Sequence, residues 1–174
     1  MLNCVSAKVE KDLRNMLPQA AFPKISSKYL TEPRGRFQGK PGLLIAPETT
    51  EQVSHIVAKA NAECIGIIPY GGGTGLVGGQ VLDSESSRIT APIILSLERM
   101  DIIRGSYPSE NLITVDAGVI LTDVVSKAAE IGRLFPLSLA SKGSAQIGGL
   151  LATNAGGLNV LRYGMARDQV LGIE

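Results

Sequence analysis

Six glycines fall within residues 71–79 and six within 143–164, so twelve of the twenty in this 174-residue chain lie in two short stretches. Scattered glycine marks turns, whereas clustered glycine marks backbone brought close to something. The first stretch reads Pro69-Tyr70-Gly71-Gly72-Gly73-Thr74-Gly75-Leu76-Val77-Gly78-Gly79 and directly follows an apolar run. Glycine takes positive φ at little steric cost, where other residues pay about 1–2 kcal/mol. Successive amides can then form a concave nest that binds an anion. Thr74 adds a hydroxyl, and the missing Cβ atoms let the backbone touch its guest. A diphosphate is the natural ligand for Pro69, Gly71, Gly72, Gly73, Thr74, Gly75, Leu76, Gly78 and Gly79.

Two better-known phosphate loops fail on context. Gly73, Gly75 and Gly78 formally match G-x-G-x-x-G, and Glu98 even lies where a ribose-binding acid is expected. That motif must open a helix whose N-terminus holds the pyrophosphate. Residues 78–83 show no helical stripe and are followed by serines and Pro92. A nucleotide P-loop ends in G-K-[ST], and the stretch has no lysine. A plain surface turn would waste much backbone entropy on six glycines in nine residues.

The second stretch contains Pro136-Leu137-Ser138-Leu139-Ala140-Ser141-Lys142-Gly143-Ser144-Ala145-Gln146-Ile147-Gly148-Gly149, then Ala152-Thr153-Asn154-Ala155-Gly156-Gly157 and Leu161-Arg162-Tyr163-Gly164. Ser144, Thr153 and Asn154 are short donors and acceptors. Gly148, Gly149, Gly156 and Gly157 permit close backbone approach. Packing of small residues between helices explains Gly148 and Gly149 but not the whole run.

The elements that must position these stretches follow from periodicity. Residues 6–17 read as a helix with Val9, Leu13, Met16 and Leu17 on one face. Residues 29–42 are a polar connector. Strand 43–46, a helix from Thr49 and strand 66–69 form a βαβ unit with a right-handed crossover. Thr49 and Gln52 match a capping box, and Val53, Ile56, Val57 and Ala60 form the helix's apolar stripe. A polar segment spans 83–90. Strands are expected at 93–97, 102–106 and 112–115, then a helix at 121–132 capped by Thr122 with Val124, Val125, Ala128 and Ala129 inward. One or two helical turns follow at 146–153, and a strand at 170–173.

Composition excludes several functions. Hydrophobic residues make 44% and charged residues 19% of the chain, as in soluble globular proteins. Net charge is +1, with no basic stripe, which argues against a nucleic-acid partner. Cys4 and Cys64 have no disulfide or metal-ligand spacing. Residues 143–161 carry no charge, but their glycines, Gln146, Asn154 and Asn159 argue against a membrane span. No secretory signal is visible, so the default location is the cytoplasm. Asp101, Asp116, Glu98 and Glu130 read as surface or turn charges.

Together the two stretches resemble the FAD-binding fold shared by vanillyl-alcohol oxidase and p-cresol methylhydroxylase. Within it they are most similar to the branch of D-2-hydroxyglutarate dehydrogenase, D-lactate dehydrogenase and the glycolate oxidase flavin subunit. The resemblance covers about Arg36 to Glu174. It implies an α+β fold with a small parallel βαβ subdomain at 37–69, a second mixed subdomain and FAD in the groove between, after an N-terminal helix and connector at 1–36. It also implies that Pro69–Gly79 holds the pyrophosphate and that Pro136, Gly143, Ser144, Ile147, Gly148, Gly149, Thr153, Asn154, Gly156 and Gly157 hold the flavin.

By the same resemblance, hydride passes from the α-carbon of a D-2-hydroxy acid to the flavin. The base and substrate groups lie in a C-terminal domain beyond Glu174, so the chain reads as a truncated flavin-binding part with no catalytic residue of its own. A UDP-N-acetylmuramate-forming reductase of the same fold, or a flavin-binding fragment without catalysis, are the alternatives. Relatives that bond FAD covalently use a histidine or cysteine near the flavin motifs. Neither occurs at 69–79 or 91–174, so non-covalent FAD is expected. His55, the only histidine, points away from its helix's apolar stripe and reads as a surface residue. Arg162 could meet a phosphate, a carboxylate or a salt-bridge partner. Tyr70 departs from the family pattern, in which a smaller or different polar residue is expected.

Overall fold

The computed structural model describes residues 2–82 and 91–174, so the expected polar segment at 83–90 lies outside the described residues. The chain divides into two compact units, Met1–Arg99 and Met100–Glu174.

The first unit is built on a three-stranded parallel sheet. Its strands are β1 (Leu43–Ile45), β2 (Ile67–Tyr70) and β3 (Ile93–Ser96) in the order β1-β3-β2. The expected parallel pair is therefore parallel but not adjacent, because β3 lies between. The reason is composition: all four β3 residues are buried, and a continuous apolar strand belongs in the centre of a covered parallel sheet. Leu44 and Ile68 both face Ile94 in register.

Helix α1 (Ala7–Met16) and helix α2 (Thr50–Ala62) complete the unit. Ser6 caps α1 by accepting the Val9 N–H at 3.3 Å, and Thr49 caps α2 by accepting the Gln52 N–H at 3.2 Å. Gln52 reaches back one residue further than a capping box requires, accepting from the Glu48 N–H at 2.9 Å. Val9, Leu13, Ile56 and Ala60 pack with Ile45, Ile93 and Leu95 in one core. The expected stripes are narrower than drawn, since Met16 and Val57 stay 47% and 45% exposed. On the sheet's other register face, Leu44, Tyr70 and Ile94 pack with Tyr29. The connector before β1 is tied by Glu32, buried to 1% exposure, whose carboxylate accepts the N–H groups of Arg34 and Arg36, both at 3.0 Å.

The second unit opens with an antiparallel hairpin, β4 (Ile103–Tyr107) and β5 (Leu112–Val115), with a bulge between Ile103 and Gly105. The α+β class holds. Among the described residues, however, this second sheet is purely antiparallel rather than mixed. Helices α3 (Leu121–Glu130), α4 (Ile147–Ala152) and α5 (Val160–Tyr163) follow, then a 3-10 turn at Ala166–Gln169. Leu121, Leu137, Ala145, Leu150 and Ala166 form the core. Thr122 does not cap α3. Ile120 holds the cap position without a side-chain bond, and the Thr122 hydroxyl donates to the Lys142 carbonyl at 3.0 Å. Ala129 is exposed. The strand expected at 170–173 does not form. Leu171 and Ile173 stay 84% and 85% exposed, and among the described residues no strand lies beside the run to take its amides.

Ile93→Ala should be the sharpest test of this architecture. Ile93 is 0% exposed at the centre of the sheet, so truncation should cost about 2–5 kcal/mol, read as a fall in the urea midpoint with unchanged slope.

Candidate functional site

The first glycine stretch leaves the sheet at the end of β2. The Leu97 N–H holds the Tyr70 carbonyl at 3.1 Å, so the departure point is fixed by β3. From Gly71 to Leu82 there is no helix, as the sequence context requires. Gly73 and Gly78 take φ +68° and +78°, which only glycine adopts without strain. The protein packs against both. A Cβ on Gly73 would lie 2.2 Å from the Tyr70 hydroxyl, and one on Gly78 would lie 2.9 Å from the Phe37 ring. Gln80 braces the loop from the far side by donating its side-chain amide to the Gly75 carbonyl at 2.6 Å.

The decisive property is what the loop leaves unpaired. Among the described residues, no backbone N–H from Gly71 to Val77 meets an acceptor. Residues 71–75 are half-buried. Amides that make no bond within the fold and stand on a loop with positive-φ glycines form a donor array open to an anionic acceptor. Gly79, by contrast, faces open space.

The second stretch sorts into two groups. Gly148 and Gly157 are small for the protein's own packing. A Cβ there would lie 2.8 Å from the Ala117 side chain and 2.4 Å from the Ser138 carbonyl. The Gly148 N–H is also taken, by the Ala117 carbonyl at 2.8 Å. Asn154 is likewise used internally. At φ +48° it accepts the Arg167 N–H at 3.0 Å and places its amide nitrogen 3.6 Å from the Met165 sulfur. Thr153 donates to the Gly149 carbonyl at 3.0 Å, and the Pro136 carbonyl accepts from Asn159 at 2.9 Å. Ile147 packs partly into the core. The open members are Gly143 and Gly149, which have nothing within 4 Å of an added Cβ, and exposed Ser144, whose hydroxyl has no partner among the described residues. Gly156 has only ordinary contacts.

One residue was missed by sequence reasoning. Gln146, 8% exposed at the N-cap of α4, carries a buried Oε1 with no hydrogen-bond partner among the described residues. The signal was present: a long amide stands among Ser144, Ala145, Gly148 and Gly149, where every neighbour but Ile147 is small.

The profile of the FAD binding domain family matches residues 41–174. The chain belongs to this family. It is 42% identical over 139 residues to a Schizosaccharomyces pombe mitochondrial protein provisionally named a D-lactate dehydrogenase, covering 80% of this chain and 25% of the relative. It is 39% identical over 137 residues to the mitochondrial D-2-hydroxyglutarate dehydrogenase of Bos taurus, covering 79% and 24%. The fold matches alkyldihydroxyacetonephosphate synthase with a TM-score of 0.82 at 19% identity, over 98% of this chain and 32% of that one. The chain thus spans about a quarter of the length of these curated relatives. Both relatives are mitochondrial, which overturns the cytoplasmic expectation. That expectation rested on a missing secretory signal, which does not test for other addresses.

FAD is the cofactor of this domain, and the residues suit it. The unpaired loop amides suit an anionic diphosphate, and the orphaned Gln146 oxygen suits a ligand N–H or O–H. The charged residues near the motifs act otherwise than expected. Asp116 is no surface charge. It is 7% exposed and holds Arg104 through both carboxylate oxygens, a bidentate pair that fastens the hairpin. Glu98 is not free either, accepting from the Tyr29 hydroxyl at 2.6 Å and the Lys28 ammonium at 2.9 Å. Arg162 stacks over the Tyr163 ring at 5.2 Å. His55 is exposed, as expected. No helix of the described residues is long and apolar enough to cross a membrane.

Burial pushes the Tyr29 and Tyr70 phenols upward, and for Tyr29 the Glu98 carboxylate adds to the shift. A raised folded value means the stabilisation is full below the unfolded tyrosine value of about 10 and is lost as pH climbs through the folded value. Absorbance titration should therefore show a late-ionising component in the native chain. It should vanish in denaturant and in a Tyr29→Phe, Tyr70→Phe double variant.

Proposed function

We propose that the chain is the cofactor-holding part of an FAD-dependent D-2-hydroxyacid dehydrogenase. The observation that carries its binding half is the run of partnerless amides from Gly71 to Val77. In this reading Gly71, Gly72, Gly73, Thr74 and Gly75 take the diphosphate. Gly143, Ser144, Gly149 and Gly156 offer amides and a hydroxyl to the flavin's polar edge, and the Gln146 carbonyl accepts from it. Bound flavin supplies the hydride acceptor. The chain's own residues bind and orient it. The dehydrogenase half rests on kinship with proteins named for D-lactate and D-2-hydroxyglutarate oxidation. Glycolate belongs to the same substrate class. The attachment is non-covalent, because residues 69–79 and 91–174 contain neither histidine nor cysteine.

Flavin fluorescence quenching tests the site directly. Gly79 faces open space, so Gly79→Glu should fold normally yet set a carboxylate beside the diphosphate. It should raise the Kd for FAD at least about tenfold, roughly 1.4 kcal/mol. Gly148→Ala should do the reverse, lowering the melting temperature through its clash with Ala117. An unchanged Kd in Gly79→Glu would remove the loop from the site.

Acid precipitation of the FAD-loaded chain should leave the yellow colour in the supernatant. Colour retained in the pellet would refute non-covalent binding. For the activity, anaerobic addition of a D-2-hydroxy acid to the full-length protein should bleach the flavin, and the L enantiomer should not.

A further inference from the structure

Tyr70 sits where it can shape the glycine loop. It ends β2 on the register face opposite the two helices, and it is 6% exposed. Its ring packs against Tyr29, with centroids 4.9 Å apart and planes at 58°. Its hydroxyl donates to the Lys28 carbonyl at 2.5 Å. Tyr29 is held in turn by Glu98 at 2.6 Å, and Glu98 by Lys28 at 2.9 Å, with the Lys28 ammonium 4.5 Å above the Tyr29 ring. Glu98 lies two residues past β3. The phenol is therefore held by the Tyr29 ring and the Lys28 carbonyl, and Tyr29 and Lys28 are themselves tied together through Glu98. The phenol also meets the loop: an added Cβ on Gly73 would fall 2.2 Å from the Tyr70 oxygen and 3.0 Å from the ring carbon that bears it.

We propose that Tyr70 is a positioning residue for the cofactor, acting through Gly73. Its phenol is the surface over which the loop folds back, and that contact sets Gly73 at positive φ and the following amides in their unpaired array. The inference rests on the reading that this loop takes the FAD diphosphate. A smaller side chain at 70 would leave Gly73 without a floor, and any side chain at 73 would strike the phenol. The two positions should therefore be energetically coupled, unlike residues that merely contribute separately to a core. Tyr70 is not a ligand-contacting group in this account, since its hydroxyl is spent on Lys28.

A double-mutant cycle on FAD affinity tests it, using the whole chain with circular dichroism as the folding check. Tyr70→Phe, which removes one hydrogen bond and the atom against Gly73, should raise the Kd for FAD about fivefold. Gly73→Ala should raise it at least about fiftyfold, because both φ and the phenol oppose a methyl group. In the Tyr70→Phe background, where the oxygen is gone, Gly73→Ala should cost at least about fivefold less than it does alone. Amide exchange at Gly73 and Thr74 should also quicken about tenfold in Tyr70→Phe, a local readout that stands even where Gly73→Ala does not fold. Multiplicative effects in the cycle, or unchanged exchange in Tyr70→Phe, would overturn the role of Tyr70 while leaving the loop as the diphosphate site. A wild-type chain that binds no FAD would instead sink the loop reading, and this inference with it.

Discussion

The parallel ladder through β3 is the constraint on which the first unit depends. Ile93, Ile94 and Leu95 pair with β1 on one side and β2 on the other, and every β3 side chain is buried. Because β3 holds both neighbours, it decides where β2 stops. The Leu97 amide takes the Tyr70 carbonyl, and the glycine stretch starts from that clamped end. One face of the sheet is covered by α1 and α2, with Ile45, Ile93 and Leu95 at the contact. The other face carries the tyrosine pair. The unit thus separates its tasks by strand parity. One set of alternate residues builds the core under the helices, while the other includes Tyr70, whose hydroxyl lies against Gly73 of the loop.

The two glycine stretches work by different physical means. The first is rich in backbone donors without acceptors. The second mixes roles that look alike in sequence. Gly148 and Gly157 are there because the Ala117 methyl group and the Ser138 carbonyl leave no room, whereas Gly143 and Gly149 border empty space. Asn154 holds the turn at Ala166–Gln169 by accepting the Arg167 amide, so its polarity serves the fold first.

Much of this was legible in the chain. That no helix opens over residues 78–82 was readable from the serines and Pro92, and it correctly removed the helix-opening G-x-G-x-x-G alternative. The α2 cap was readable from Thr49, since a hydroxyl before an apolar stripe has one common use. Strand order was not, because β1 and β2 carry no mark showing that a later strand will part them. The residues at 170–173 failed for a related reason: apolarity suggests a strand, but a ladder needs a partner. Asp116 was misread because burial of a charge depends on a distant partner, here Arg104. Gln146 was visible as a letter, but that its oxygen lacks a donor is a fact of packing alone.

The insertion of β3 between two earlier strands also sets a timetable. During synthesis β1, α2, β2 and the whole first glycine stretch leave the ribosome before the strand that must join them. Until residues 93–97 emerge, β2 has no edge to pair with on that side, the Tyr70 carbonyl has no amide to hold it, and Tyr29 lacks Glu98. The end of β2 from which the loop departs is therefore unclamped until β3 joins, and a translational pause before residue 93 would prolong the lifetime of an open, unpaired strand edge.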